Sequence, residues 1–130
     1  MIMDYVCDTH SIVWYFTEDS RLSKASLKAF DGTMTEGVII VPSVVLAEIM
    51  FIYRKGRITL TFEESLRKIE ECENIQIASL DVKILRIADK IQVDMEIHDR
   101  LIVATALHFG ATLITRDRLI RDSQVCPTLW

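Results

Sequence analysis

The sequence predicts a single α/β domain whose mainly parallel sheet of four to five strands is flanked by helices. Three observations carry that expectation. Short β-branched runs alternate with helical stretches along the whole chain, the pattern of a sheet joined by crossover helices. Two helical stretches, 43–53 and 101–109, are apolar on nearly every side, and the second is expected to be buried all round. The 130 residues, 50% hydrophobic and 26% charged, suffice for one core and not for two.

In chain order, Tyr5-Val6-Cys7 is a short buried strand that ends at Asp8. Residues 9–16 form a short helix with apolar Ile12, Val13, Tyr15 and Phe16. Ser23 is an N-cap with Leu22 and Leu27 placed as a hydrophobic staple, and its helix stops near Phe30, before Asp31-Gly32. Gly37-Val38-Ile39-Ile40-Val41 is the clearest strand, closed by Pro42. The helix over 43–53 has Glu48 as its only charge and ends at Arg54-Lys55-Gly56. Thr61-Phe62-Glu63-Glu64 is a capping box opening an amphipathic helix, with Phe62, Leu66 and Ile69 on one face and Glu63–Arg67 and Glu64–Lys68 toward solvent. Residues 75–78 are a third strand, and Asp81 caps a helix running through Lys90. The second apolar helix closes at Gly110, suited to a left-handed stop, and 111–114 is a buried strand. Val125-Cys126-Pro127-Thr128 adds an edge strand, where a proline is tolerated. No internal repeat, low-complexity tract or linker interrupts this order.

Composition excludes several classes. No apolar run approaches the ~18 residues of a membrane span, and no basic-then-apolar leader is visible. Three cysteines without paired spacing (Cys7, Cys72, Cys126) read as reduced thiols of a cytoplasmic protein rather than a disulfide or zinc framework. A net charge of −4 argues against broad electrostatic adhesion to nucleic acid, while leaving room for a local basic rim. Arg116, Arg118 and Arg121 follow the last strong strand and Arg100 follows Asp99; they are either such a rim or solvated surface residues.

The chemistry concentrates in four acids. In parallel sheets ligands bind beyond the carboxyl ends of the strands, and Asp8 and Asp117 each follow a strand directly. Asp99 opens the helix leading toward Asp117, and Glu48 lies within the helix after the 37–41 strand. Each aspartate has a plain alternative as a helix N-cap. Glu48 does not: apolar neighbours surround it, and a buried lone carboxylate costs several kcal/mol unless paired, protonated or bound to a cation. Its partner is then an internal arginine, Arg100 or Arg116, or a cation. Several carboxylates around Mg²⁺ or Mn²⁺ form a hard-oxygen site that takes up phosphate oxygens and acidifies water. His10, His98 and His108 are scattered and lack zinc spacing, although His10 stands beside Asp8.

At Asp8-Thr9-His10, Glu48, the run from Asp99-Arg100 to Thr105-Ala106, and Thr115-Arg116-Asp117, the chain resembles the PIN-domain ribonucleases, most closely their VapC-type toxins of toxin–antitoxin pairs. Val6-Cys7-Asp8-Thr9-His10-Ser11, Arg21-Leu22-Ser23 and Pro127-Thr128-Leu129-Trp130 are similar to that subgroup as well. The likeness covers the whole chain in order. It implies a PIN-like three-layer sandwich in which Asp8, Glu48, Asp99 and Asp117 bind one or two Mg²⁺ or Mn²⁺ ions. It further implies an endoribonuclease that cuts single-stranded RNA, leaving a 5′-phosphate and a 3′-hydroxyl. Thr9 and Thr115 would hold metal waters or phosphate; Arg116 and Arg100, from the basic rim read above, are the candidate RNA contacts. A homodimer silenced by a small antitoxin is the expected assembly. One departure is Glu96-Ile97, where many relatives carry Asp-Pro; Glu96 is the candidate replacement acid.

Two rival classes fit the sequence less well. A Mg²⁺-binding receiver-like regulatory module needs paired acids near the first strand and a lysine after a late one. The Asp4/Asp8 spacing is wrong for it, and Thr115-Arg116-Asp117 has no lysine. A PIN fold that has lost catalysis and only binds RNA or a partner has no need of all four acids.

Overall fold

The computed structural model describes residues 3–32 and 37–130. Its elements are β1 (Tyr5–Cys7), α1 (Thr9–Phe16), α2 (Lys24–Phe30), β2 (Ile39–Pro42), α3 (Ser43–Arg54), α4 (Phe62–Glu71), β3 (Ile75–Ala78), α5 (Val82–Lys90), α6 (Ile97–Phe109), β4 (Thr112–Ile114), α7 (Arg118–Ser123) and β5 (Thr128–Leu129). The five strands form one sheet in the order β3-β2-β1-β4-β5, every pair parallel. The chain leaves β1 toward β2 but leaves β4 toward β5, so strand order reverses between the two. That reversal opens a crevice at the carboxyl ends of β1 and β4.

Local chemistry accounts for the elements. Every residue of β1 and β2 is buried, as parallel strands covered on both faces require. Gly37 leads into β2 where a Cβ would sit 1.8 Å from the Met3 carbonyl oxygen, so no side chain fits. The close approach lets Tyr5 N donate to Val38 O and Asp4 Oδ1 accept from Val38 N. Ser23, Thr61 and Asp81 cap α2, α4 and α5 through their side chains, and Gly110 closes α6 at φ +60°. Ile12, Phe30, Ile39, Ile49, Ile84, Ile102, Leu113, Ile114 and Ile120 are among the large, fully buried side chains. No described helix is long and apolar enough to cross a membrane.

Helix α3 turns Val45, Leu46 and Ile49 to the core and leaves Met50, Phe51 and Tyr53 exposed. Two expectations change. Helix α6 is buried from Leu101 to Ala106, but Leu107 and Phe109 reach solvent beyond the sheet it packs on. The last strand begins at Thr128 rather than Val125, because Pro127 has no N–H to donate; its carbonyl accepts from Leu113 N, and pairing continues from there.

Candidate active site

The register of β1 against β4 builds the centre of the crevice. Cys7 pairs with Ile114, so the next residue of each strand, Asp8 and Thr115, emerge side by side. Thr115 Oγ1 donates to Asp8 Oδ2 at 2.6 Å, and Ser11 N donates to Asp8 Oδ1 at 2.9 Å. Both carboxylate oxygens are thus fixed, one by the neighbouring strand and one by the first turn of α1. The buried Thr115 hydroxyl also accepts from Asp117 N at 3.0 Å. This bends the chain so that Asp117 caps α7 through Ile120 N. Asp8 and Asp117 are therefore helix caps and cavity residues at once.

Glu48 arrives from α3, which packs on α1 and α6. The buried Thr9 hydroxyl donates to its Oε1 at 2.7 Å. Among the described residues neither Arg100 nor Arg116 pairs with it, so the internal-arginine alternative fails. Asp99 is not a cap. Helix α6 starts at Ile97 with Glu96 as its N-cap residue and no side-chain capping hydrogen bond, which leaves Asp99 in the first turn. Glu96 pairs instead with His98 Nδ1.

These acids line one cavity of about 550 Å³ with Thr9, His10, Trp14, Arg21, Ile102 and Arg116. Burial raises the Asp8 carboxyl above its ordinary range, against the opposing hydrogen bonds of Thr115 and Ser11. Asp99 is pushed up to about 6, first by desolvation and then by the negative charges of Asp117, Glu96, Glu48 and Asp8. The donor set is all hard oxygen, which suits a divalent cation such as Mg²⁺ or Mn²⁺. Among the described residues, however, no three Asp, Glu, His or Cys side chains converge closely enough to hold one as they stand.

The expected supporting residues take different places. The hydroxyls of Thr9 and Thr115 are donated to carboxylates, so both threonines aim acids rather than stand free for phosphate. Arg100 does not line the acidic cavity. Its guanidinium donates to the carbonyls of Ala88, Ile91 and Val93, tying down the end of α5 and the loop beyond it. Arg118 pairs with Asp122 on the surface, and Arg121 borders a separate groove. Only Arg116 of that series lines the acidic cavity, its guanidinium 5.7 Å from the Trp14 ring centroid. Arg21 lies over the same indole at 4.8 Å. Trp14 was invisible as a site residue because an aromatic within an apolar run reads as core; its spacing of four from His10 was the available signal, and the two rings meet at 5.7 Å.

With this geometry in place, comparison identifies the class. The PIN domain family model matches residues 5–123, and the chain belongs to that family. Solved structures share its fold. VapBC2 from Rickettsia felis, crystallised with a DNA fragment from its promoter, aligns at TM-score 0.71 and 17% identity over 98% of both chains. VapBC-1 from nontypeable Haemophilus influenzae aligns at 0.69 and 19%, covering 98% of this chain and 97% of that one. VapC20 from Mycobacterium tuberculosis, a sarcin-ricin-loop-cleaving toxin, aligns at 0.66 and 12%, covering 92% and 95%. Comparison with curated proteins by sequence gives no match.

Proposed function

We propose that this chain is a metal-dependent endoribonuclease toxin that hydrolyses phosphodiester bonds of single-stranded RNA in the cytoplasm, as a homodimer held in check by a small antitoxin. The observation that carries the reading is the meeting of Asp8, Glu48, Asp99 and Asp117, delivered by separate parts of the chain, in one cavity at the strand-order reversal. The fold shared with VapBC structures and a sarcin-ricin-loop-cleaving toxin supports it.

Asp8, Glu48, Asp99 and Asp117 would hold Mg²⁺ or Mn²⁺, which when bound neutralises charge developing on phosphate and acidifies water. Thr115 orients Asp8 and fixes the turn presenting Asp117, and Thr9 orients Glu48. Arg116, at the rim, meets the RNA backbone; an acidic protein needs such a contact to offset repulsion of the incoming polyanion. The test is incubation of a mixed RNA pool with purified protein in Mg²⁺ or Mn²⁺, with and without EDTA. Metal-dependent cuts bearing 5′-phosphate and 3′-hydroxyl ends are expected. Cleavage at full rate in EDTA, with contaminating nuclease excluded, contradicts the reading.

A further inference from the structure

Trp14 is buried with the apolar core, yet it also lines the acidic cavity, and two guanidinium groups lie within cation–π range of its ring. The two arginines are held differently. Arg21 is already paired. In the turn after α1, Glu18 takes φ +54° and Asp19 N donates to Trp14 O at 2.8 Å, which folds the chain back over the indole. Asp19 then accepts from Arg21 N at 2.9 Å, Nε at 3.0 Å and Nη2 at 2.8 Å, with the guanidinium 4.8 Å from the ring centroid. Arg116 is not paired. Among the described residues its guanidinium has no acidic partner within ion-pair distance, although it lines a cavity with Asp8, Glu48, Asp99 and Asp117. Its backbone is fixed on both sides, because the Thr115 hydroxyl bonds Asp8 and Asp117 N, and Asp117 caps α7. The long side chain alone is left to swing, and among the described residues it rests on the Trp14 ring.

An exposed guanidinium beside four carboxylates has an obvious alternative: to fold onto one of them. A solvent-exposed ion pair and a cation–π contact are of similar, modest strength, so the indole competes with that collapse. An arginine lying on the acids would neutralise them and be lost to any incoming anion. We propose that Trp14 is the positioning residue for Arg116, its ring holding the guanidinium at the rim, clear of the carboxylates, where an RNA phosphate meets it. Arg21, locked to Asp19, braces the same ring. The assignment rests on the ribonuclease reading.

The test is the KM and kcat of the full-length protein on a short fluorescein-labelled single-stranded RNA of mixed sequence, across a salt series. Wild type, Trp14→Met, Arg116→Ala and the double variant are compared, with melting temperatures to report folding. Methionine fills apolar space without offering a ring. Trp14→Met should raise KM about fivefold, the size of one exposed cation–π contact, and move kcat less. It should also flatten the log–log salt slope by up to about 0.7, one single-strand phosphate contact. Trp14→Phe, which keeps a ring, should recover most of the KM. In the Arg116→Ala background Trp14→Met should change KM by less than about twofold, because the group it positions is gone. A folded Trp14→Met with wild-type KM and slope overturns the assignment and leaves the ribonuclease reading standing. So does an equal rise in KM in both backgrounds, which makes the indole a scaffold or a contact in its own right. If Trp14→Met does not fold, fluorescence carries the test: Trp130→Phe leaves Trp14 as the sole tryptophan of the chain, and adding Arg116→Ala should shift its emission. Unshifted emission overturns the assignment. No cleavage by the wild type overturns the ribonuclease reading, and the role toward phosphate falls with it.

Discussion

Glu48 accepts a 2.7 Å hydrogen bond from the Thr9 hydroxyl and, among the described residues, has no arginine partner. Glu48→Gln keeps an oxygen to accept that bond and strands no buried cation. It should therefore change stability by less than about 1 kcal/mol while lowering RNA cleavage at least ~100-fold, read by urea unfolding and single-turnover cleavage. A loss of about 3–5 kcal/mol would instead reveal a buried ion pair. Asp99 gives a pH prediction. Its folded carboxyl titrates at about 6, above the ~3.9 of an unfolded aspartate. A raised pKa contributes stability that is complete below the unfolded value and is lost as pH climbs through the folded one. Because the group is only partly buried, screening by solvent leaves a loss on the order of 1 kcal/mol between pH 4 and 7. Without metal, the wild type should lose more stability than Asp99→Asn across that window; parallel pH profiles would contradict the crowding. Of these residue-scale features, Glu48 was legible in the sequence because a lone charge in an apolar helix demands an explanation. Asp99 was legible as a candidate site acid, but its alternative as a cap stayed open, since helix starts are set by backbone geometry that side-chain identity does not reveal.

The elements show where pattern reading works and where it stops. Strand and helix order, the Ser23, Thr61 and Asp81 caps and the Gly110 stop follow from local chemistry that acts within a few residues. The exposed flank of α3 was not legible, because Met50 and Phe51 are apolar whether or not anything covers them. Arg100 was not legible either: its target is three carbonyls seven to twelve residues upstream, brought within reach only by the packing of α5 on α6. Arg100→Met should accordingly cost about 2–3 kcal/mol in urea unfolding through lost charge-assisted hydrogen bonds. RNA affinity and its salt slope should stay as in the wild type; a flatter slope would return Arg100 to the RNA rim. Thr115 ties β1 to the turn after β4. Thr115→Val keeps the shape but leaves Asp8 Oδ2 and Asp117 N without their partner, a loss of about 1–3 kcal/mol. Cleavage should fall more steeply than stability, because two of the four acids lose their aim.

For the whole molecule, the mainly parallel sheet was expected from alternating strands and helices, whereas the reversal between β1 and β4, which gathers acids distant in sequence, was not. Sequence order could name the four acids but not the shared cavity, because the Cys7–Ile114 register that sets Asp8 beside Thr115 spans the chain. The gathering leaves a cavity of crowded negative charge in which Asp8 and Asp99 are both raised. A divalent cation that binds there should relieve the crowding and favour the folded state by mass action. The decisive measurement is the melting temperature of the metal-free protein at neutral pH during titration with Mn²⁺, beside Asp99→Asn under identical conditions. The account predicts a saturable rise of about 5–15 °C for the wild type, as follows from ~2–3 kcal/mol of ligand stabilisation in a domain of this size, and a much smaller rise for the variant. A flat wild-type titration, or equal rises in both proteins, would contradict the assignment of this cavity as the metal-dependent centre.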